Sequence, residues 1–166
     1  MTNNDILRRI RYSFDFSDSA MMKTFAAADQ KVTQEQVTSW LKKDDDPRYA
    51  SLQDPMMASF LNGLINEKRG KREGAQPAPE QKLTNNIMLN KLKIALNLKA
   101  EDLLEYLELA NFNLSKHELS AFFRKAGHKH YRECKDQVMR NFLQGLQIKL
   151  RGEVDATENN EEPEAE

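Results

Sequence analysis

The chain has 166 residues, 39% hydrophobic and 31% charged, which fits a soluble globular protein, and no apolar run approaches the roughly 20 residues needed to span a bilayer. Its formal charge of −1 conceals an uneven distribution: the last fourteen residues, EVDATENNEEPEAE, carry seven acids and no base, which leaves +6 on residues 1–152. One cysteine, Cys134, excludes an internal disulfide framework, and charges throughout MTNNDILRRIRYSFDF exclude the apolar stretch of a secretion signal, so the expected location is the cytoplasm.

In chain order, the first predicted element is a helix whose apolar residues Ile6, Leu7, Ile10 and Phe14 recur with helical period. Met21, Met22, Phe25 and Ala28 repeat the pattern in a second helix. A third is announced by Thr33 and Gln36, the spacing of a capping box, in which two side chains satisfy unpaired backbone N–H groups. Its apolar face is Val37, Trp40 and Leu41. A fourth is predicted to start with Asp54 as cap and Pro55 in the first turn, followed by the stripe Met57, Phe60, Leu61 and Leu64. Residues 71–83, KREGAQPAPEQKL, have the composition of an exposed linker.

The same order then starts again. A shift of 82 positions aligns residues 2–70 with 84–152 without a gap, and fifteen of the 69 pairs are identical. The identities open on Thr2-Asn3-Asn4 and Thr84-Asn85-Asn86 and close on Arg69-Gly70 and Arg151-Gly152. Met88, Leu89, Leu92 and Leu96, then Leu103, Leu104, Leu107 and Ala110, repeat the first two stripes. Ser115 and Glu118 repeat the capping box ahead of Leu119, Phe122 and Phe123. The expected fold class is therefore all-α, with two tandem, sequence-related four-helix units at residues 1–70 and 84–152. Residues 153–166 lack apolar surface to bury and are expected to be disordered, competing as an acidic segment for basic surface.

The segments LRRIRYSFDF, VTSWLKKDDDPRY and FLNGLI, with NNIMLNKLKIALNL, LSKHELSAFFR, HKHYRECKDQ and NFLQGL, resemble the bacterial YehS-like proteins, which carry a duplicated domain of unknown function. That resemblance implies a cytoplasmic bacterial protein and transfers no catalytic or binding residue. Within each copy the order of the first three helices also resembles the start of a repressor-type helix-turn-helix domain. Such a domain places its third helix in the major groove. On that resemblance the candidate base readers are Gln34, Gln36, Thr38 and Ser39 in the first copy, with Lys42 and Lys43 beside them. In the second they are Lys116, His117 and Ser120, with Arg124, Lys125, Lys129 and Arg132 for phosphate. The connections AAADQKV and LANFNL are longer than a repressor's compact turn, and Met22 and Leu104 stand where such motifs usually have a small residue.

Charge separates the two copies. Residues 1–70 balance ten bases with ten acids, whereas residues 83–152 carry twelve bases and seven acids. Lys116, Arg124, Lys125, Lys129, Arg132, Lys135 and Arg140 fall within one 25-residue window, a footprint that suits phosphate. The expectation is a nucleic-acid-binding or regulatory protein that is not an enzyme and has no cofactor, whose basic second copy makes the main contact, with duplex DNA or another nucleic acid as partner. The alternative is an interaction module that takes an acidic or apolar protein segment in a groove between helices. His128, His130 and Cys134 have zinc-ligand chemistry, but Cys134 aligns with Leu52 and the two histidines with loop residues Asp46 and Arg48. A buried cysteine and two solvated histidines are therefore expected, with no metal site and no Cys–His nucleophile.

Overall fold

The computed structural model describes residues 1–152, and these form eight α-helices with no strand among them. The acidic segment 153–166 lies outside the described residues. The helices are α1 (Asn3–Phe14), α2 (Asp18–Ala27), α3 (Gln34–Leu41), α4 (Asp54–Arg69), α5 (Asn85–Ala95), α6 (Ala100–Leu109), α7 (Lys116–Ala121) and α8 (Asp136–Arg151). Each helix of the second repeat starts 82 positions after its counterpart, so the alignment in sequence is also one of helix starts.

Local chemistry sets many of these boundaries. Thr2, Ser17, Thr33, Thr84 and Ser115 each accept a hydrogen bond from a backbone N–H in the first helical turn they precede. Both predicted capping boxes close, with Gln36 and Glu118 returning a bond to the cap backbone. Breaks after the first and second helices use left-handed residues at equivalent positions: Asp15 (φ 54) with Asn97 (φ 54), and Asp29 (φ 60) with Asn111 (φ 59). Aspartate and asparagine tolerate this region better than other residues with a side chain, so exchanging one for the other keeps the turn.

Two expected details differ. Asp54 is not the cap of α4; Gln53 holds that position without a side-chain cap bond, and Asp54 and Pro55 are the first two helical residues. The Asp54 carboxylate is taken up elsewhere, accepting from Asn3 Nδ2 at 2.7 Å and from the Leu83 backbone N–H at 2.8 Å. Ala28 and Ala110 lie just beyond α2 and α6 rather than on their stripes, and α7 stops at Ala121, leaving Phe122 and Phe123 in the turn that follows.

The repeated Asn-Asn pair ties each repeat together. Asn4, 1% exposed, donates to the carbonyls of Trp40 and Ala50, both at 2.9 Å, and accepts from the Leu52 N–H at 3.0 Å and the Tyr49 hydroxyl at 3.1 Å. Asn86 does the same for Phe122 (3.1 Å), Arg132 (2.8 Å) and the Cys134 N–H (2.9 Å). One buried amide thus pins the end of the third helix and the following loop to the first helix. The neighbouring asparagines reach the start of the last helix, Asn3 through Asp54 and Asn85 through Asp136 at 2.8 Å.

The two repeats share their middle. α1 runs alongside α8 more closely than alongside α4 of its own repeat, and α5 alongside α4 more closely than alongside α8. Polar contacts are exchanged at matching positions. The Met1 amino group meets Asp136 Oδ2 at 2.9 Å, as the Leu83 N–H meets Asp54. Arg9 donates to Gln144 at 3.1 Å, and its counterpart Lys91 to Asn62 at 2.6 Å. Buried side chains from all eight helices belong to one continuous apolar cluster, which relieves the small core that a unit of this size has alone.

Candidate nucleic-acid interface

α6 and α7 lie on the outer side of the second repeat, with α7 held by α6 and by the Asn86 hydrogen bonds to the turn that follows it. Only Leu119 of α7 is buried; Lys116, His117, Glu118 and Ser120 are exposed, as are Arg124, Lys125, Lys129 and Arg132 in the turn and loop beyond. The short helix is flanked by two hollows. One, of about 370 Å³, is lined by polar groups that include His117, Glu118, Lys129, His130 and Arg132. The other, of about 340 Å³, has Ala100, Leu119 and Phe123 beside Lys93 and Lys116. Ser120 and Arg124 line both.

The structure therefore brings Lys116, His117, Ser120, Arg124, Lys129 and Arg132 around one helix. Lys125 is exposed nearby but lines neither hollow. Gln34, Gln36, Lys42 and Lys43 lie on α3 or just after it, in the other repeat and outside both hollows. The Gln36 carboxamide oxygen already accepts from the Thr33 N–H at 2.9 Å, and the Lys42 carbonyl accepts from Arg8 Nη1 at 3.1 Å.

The electrostatics divide the cations into two groups. Lys116 is paired with Glu101 of α6 at 2.8 Å, and their bond raises the lysine pKa and lowers that of the glutamate. Arg124, Lys125, Lys129 and Arg132 have no carboxylate at ion-pair distance among the described residues. Glu118 sits among them, its pKa lowered first by the Ser115 backbone N–H it accepts from.

Cys134 and the histidines separate as their alignment suggests. Cys134 is 1% exposed, whereas His128 and His130 are exposed with ring centroids 5.4 Å apart. His128 Nδ1 accepts from the His130 N–H at 3.0 Å. Among the described residues no three His, Cys, Asp or Glu side chains group closely enough to hold a metal ion. Burial, then the charges of Asp136 and Glu133, push the Cys134 thiol up to about 12 from 9.0. Since the thiolate is the reactive form, native protein at pH 8 is expected to react with a thiol reagent only as fast as it opens, while urea-unfolded protein reacts at once. Rapid stoichiometric labelling of native protein would contradict that burial. The shift favours the protonated folded form, so its stabilisation is present below about pH 9 and is lost as pH rises towards 12.

The sequence does not mark Phe123, Lys93 or Tyr131 as site residues, and it offers His130 only as a metal ligand or as the partner of Cys134 in a nucleophile pair. Phe123 was assigned to a helical core face, yet it is half-buried at the turn, with Lys93 Nζ 5.1 Å from its ring centroid. The repeat gives no signal for it, because Phe123 aligns with Leu41, an apolar residue that is fully buried in the first repeat.

Helical content, repeat register and exchanged first and last helices define a tandemly duplicated all-α protein. The chain belongs to the family described as a protein of unknown function (DUF1456), whose model matches it twice, at residues 3–70 and 85–152. It is 44% identical over 148 residues, 88% of this chain and 94% of the relative, to Uncharacterized protein YehS of Escherichia coli (strain K12). No solved structure matches. Among the described residues no helix is long and apolar enough to cross a membrane.

Proposed function

We propose that this chain is a cytoplasmic nucleic-acid-binding protein that works by binding rather than catalysis, with the outer face of the second repeat as its contact surface. The observation that carries this reading is the placement of Arg124, Lys125, Lys129 and Arg132. Four exposed cations lie on one short stretch of chain with no carboxylate at ion-pair distance among the described residues, the charge of Arg132 acting on Glu118 from further off, while Lys116 nearby is paired with Glu101. Unpaired, solvated cations at close spacing are suited to phosphates, whose condensed counterions they release. An insertion of α7 into a major groove is not favoured, since the helix has six residues and Glu118 near its start is committed to the capping box.

Fluorescence anisotropy with a labelled oligonucleotide at several salt concentrations tests this directly. Neutralising four phosphates gives a slope of about −3 in log affinity against log salt, and Arg124→Ala with Lys129→Ala is expected to reduce its magnitude by about two. Binding that is absent at low salt, or that ignores salt and both substitutions, would rule the function out.

A further inference from the structure

We infer that the ligand of this face is a single-stranded nucleic acid, with bases stacking at Phe123 and phosphates running over α7 towards Lys129 and Arg132. This rests on the nucleic-acid reading above and adds the strandedness of the ligand. A duplex keeps its bases stacked on one another and offers a protein only their edges and the backbone. Single strands expose base faces, and proteins that hold them combine a cationic track with aromatic platforms.

Both parts are present here, one on each side of α7. The hollow containing Phe123 is lined by Ala100 and Leu119 together with Lys93, Lys116 and Arg124, and the adjoining hollow is mainly polar, with Arg124, Lys129 and Arg132 beside Glu118. Arg124 lines both, so a chain laid across it would place a base on one side and a phosphate on the other. Lys93 Nζ already lies over the Phe123 ring, 5.1 Å from its centroid. A face open to that ammonium is open to a flat base, and the displaced cation remains near the next phosphate.

The first repeat supplies the comparison. Its residue at the Phe123 position is Leu41, fully buried, and where the second repeat has exposed His128 and His130 it has Asp46 and Arg48 joined to each other at 3.1 Å. At these positions a half-buried ring and two exposed imidazoles thus stand beside the cationic loop, where the first repeat has a buried leucine and an ion pair.

The test uses the whole chain with a labelled oligonucleotide of about 15 nucleotides, offered as a single strand in DNA and RNA forms and as a matched duplex. Wild-type protein is expected to bind the single strand about tenfold more tightly than the duplex. Phe123→Leu, which installs the residue of the first repeat, should remove about tenfold of the single-strand affinity and leave duplex binding unchanged, with an unaltered melting curve confirming its fold. Duplex binding as tight as single-strand binding, or Phe123→Leu without effect, would overturn this inference while leaving the nucleic-acid function standing. No salt-dependent binding to any of the three, or displacement by polyglutamate as effective as by nucleic acid, would overturn both.

Discussion

Replacing Gly145 with alanine is expected to destabilise the protein by about 3 kcal/mol or more, as measured by urea denaturation, with Gly63→Ala following close behind. In an open helix the same change would stabilise by up to about 1 kcal/mol, because glycine is the more disordered residue when unfolded. Here a Cβ on Gly145 would overlap the Tyr106 carbonyl, and one on Gly63 the Thr24 carbonyl. Those obstacles are backbone, so α8 must move off α6, or α4 off α2, and the packing of Phe142 or Phe60 moves with it. Gly127→Ala is the control: nothing lies within 4 Å of its added Cβ, and the expected change is within about 0.5 kcal/mol. Equal effects at Gly127 and Gly145 would show that close helix approach is not what the glycine provides.

Asn86→Ala is expected to cost about 3 kcal/mol, measured in the same way. The substitution removes the partner of the Phe122 and Arg132 carbonyls and of the Cys134 N–H. Each group left unpaired away from water costs about 1–3 kcal/mol, and partial entry of solvent keeps the total nearer the lower end. Asn4→Ala should behave alike, since its amide serves Trp40, Ala50 and Leu52 in the first repeat. Substituting Asn85, which is less buried and bonds Asp136 and the Cys134 carbonyl, is expected to cost closer to 1 kcal/mol. If Asn85 and Asn86 proved equally sensitive, burial would not be what distinguishes them.

These two sites show where local sequence was informative and where it fell short. Helix positions were legible because Ile6, Leu7 and Ile10, or Met57, Phe60 and Leu61, carry the period of one buried face. The capping boxes at Thr33 and Ser115 were legible because both partners lie within four residues. Asp54 was misread because its sequence before proline imitates a cap, while its partners, Asn3 and Leu83, are 51 and 29 residues away. The work of Asn4 and Asn86 was hidden for the same reason, although two adjacent asparagines kept identical in both copies marked the place. At the candidate interface the cations were evident from composition. The two hollows were not, because Phe123 and Lys93 come together from α5 and the turn after α7.

The exchange in which α1 lies on α8 and α5 on α4 has a consequence for the history and freedom of the molecule. Exchanged elements around a two-fold axis are how a homodimer makes an isologous contact, and the linker makes that contact intramolecular, at an effective concentration on the order of millimolar. In a dimer of identical chains, every substitution appears twice, once at each end of the axis. Fusion removes that constraint. Phe123, His130 and the cationic loop appear once, while Leu41, Arg48 and the acids beside it remain on the other half. Such a molecule has two outer faces of different composition that can acquire separate tasks without disturbing the shared centre that holds them.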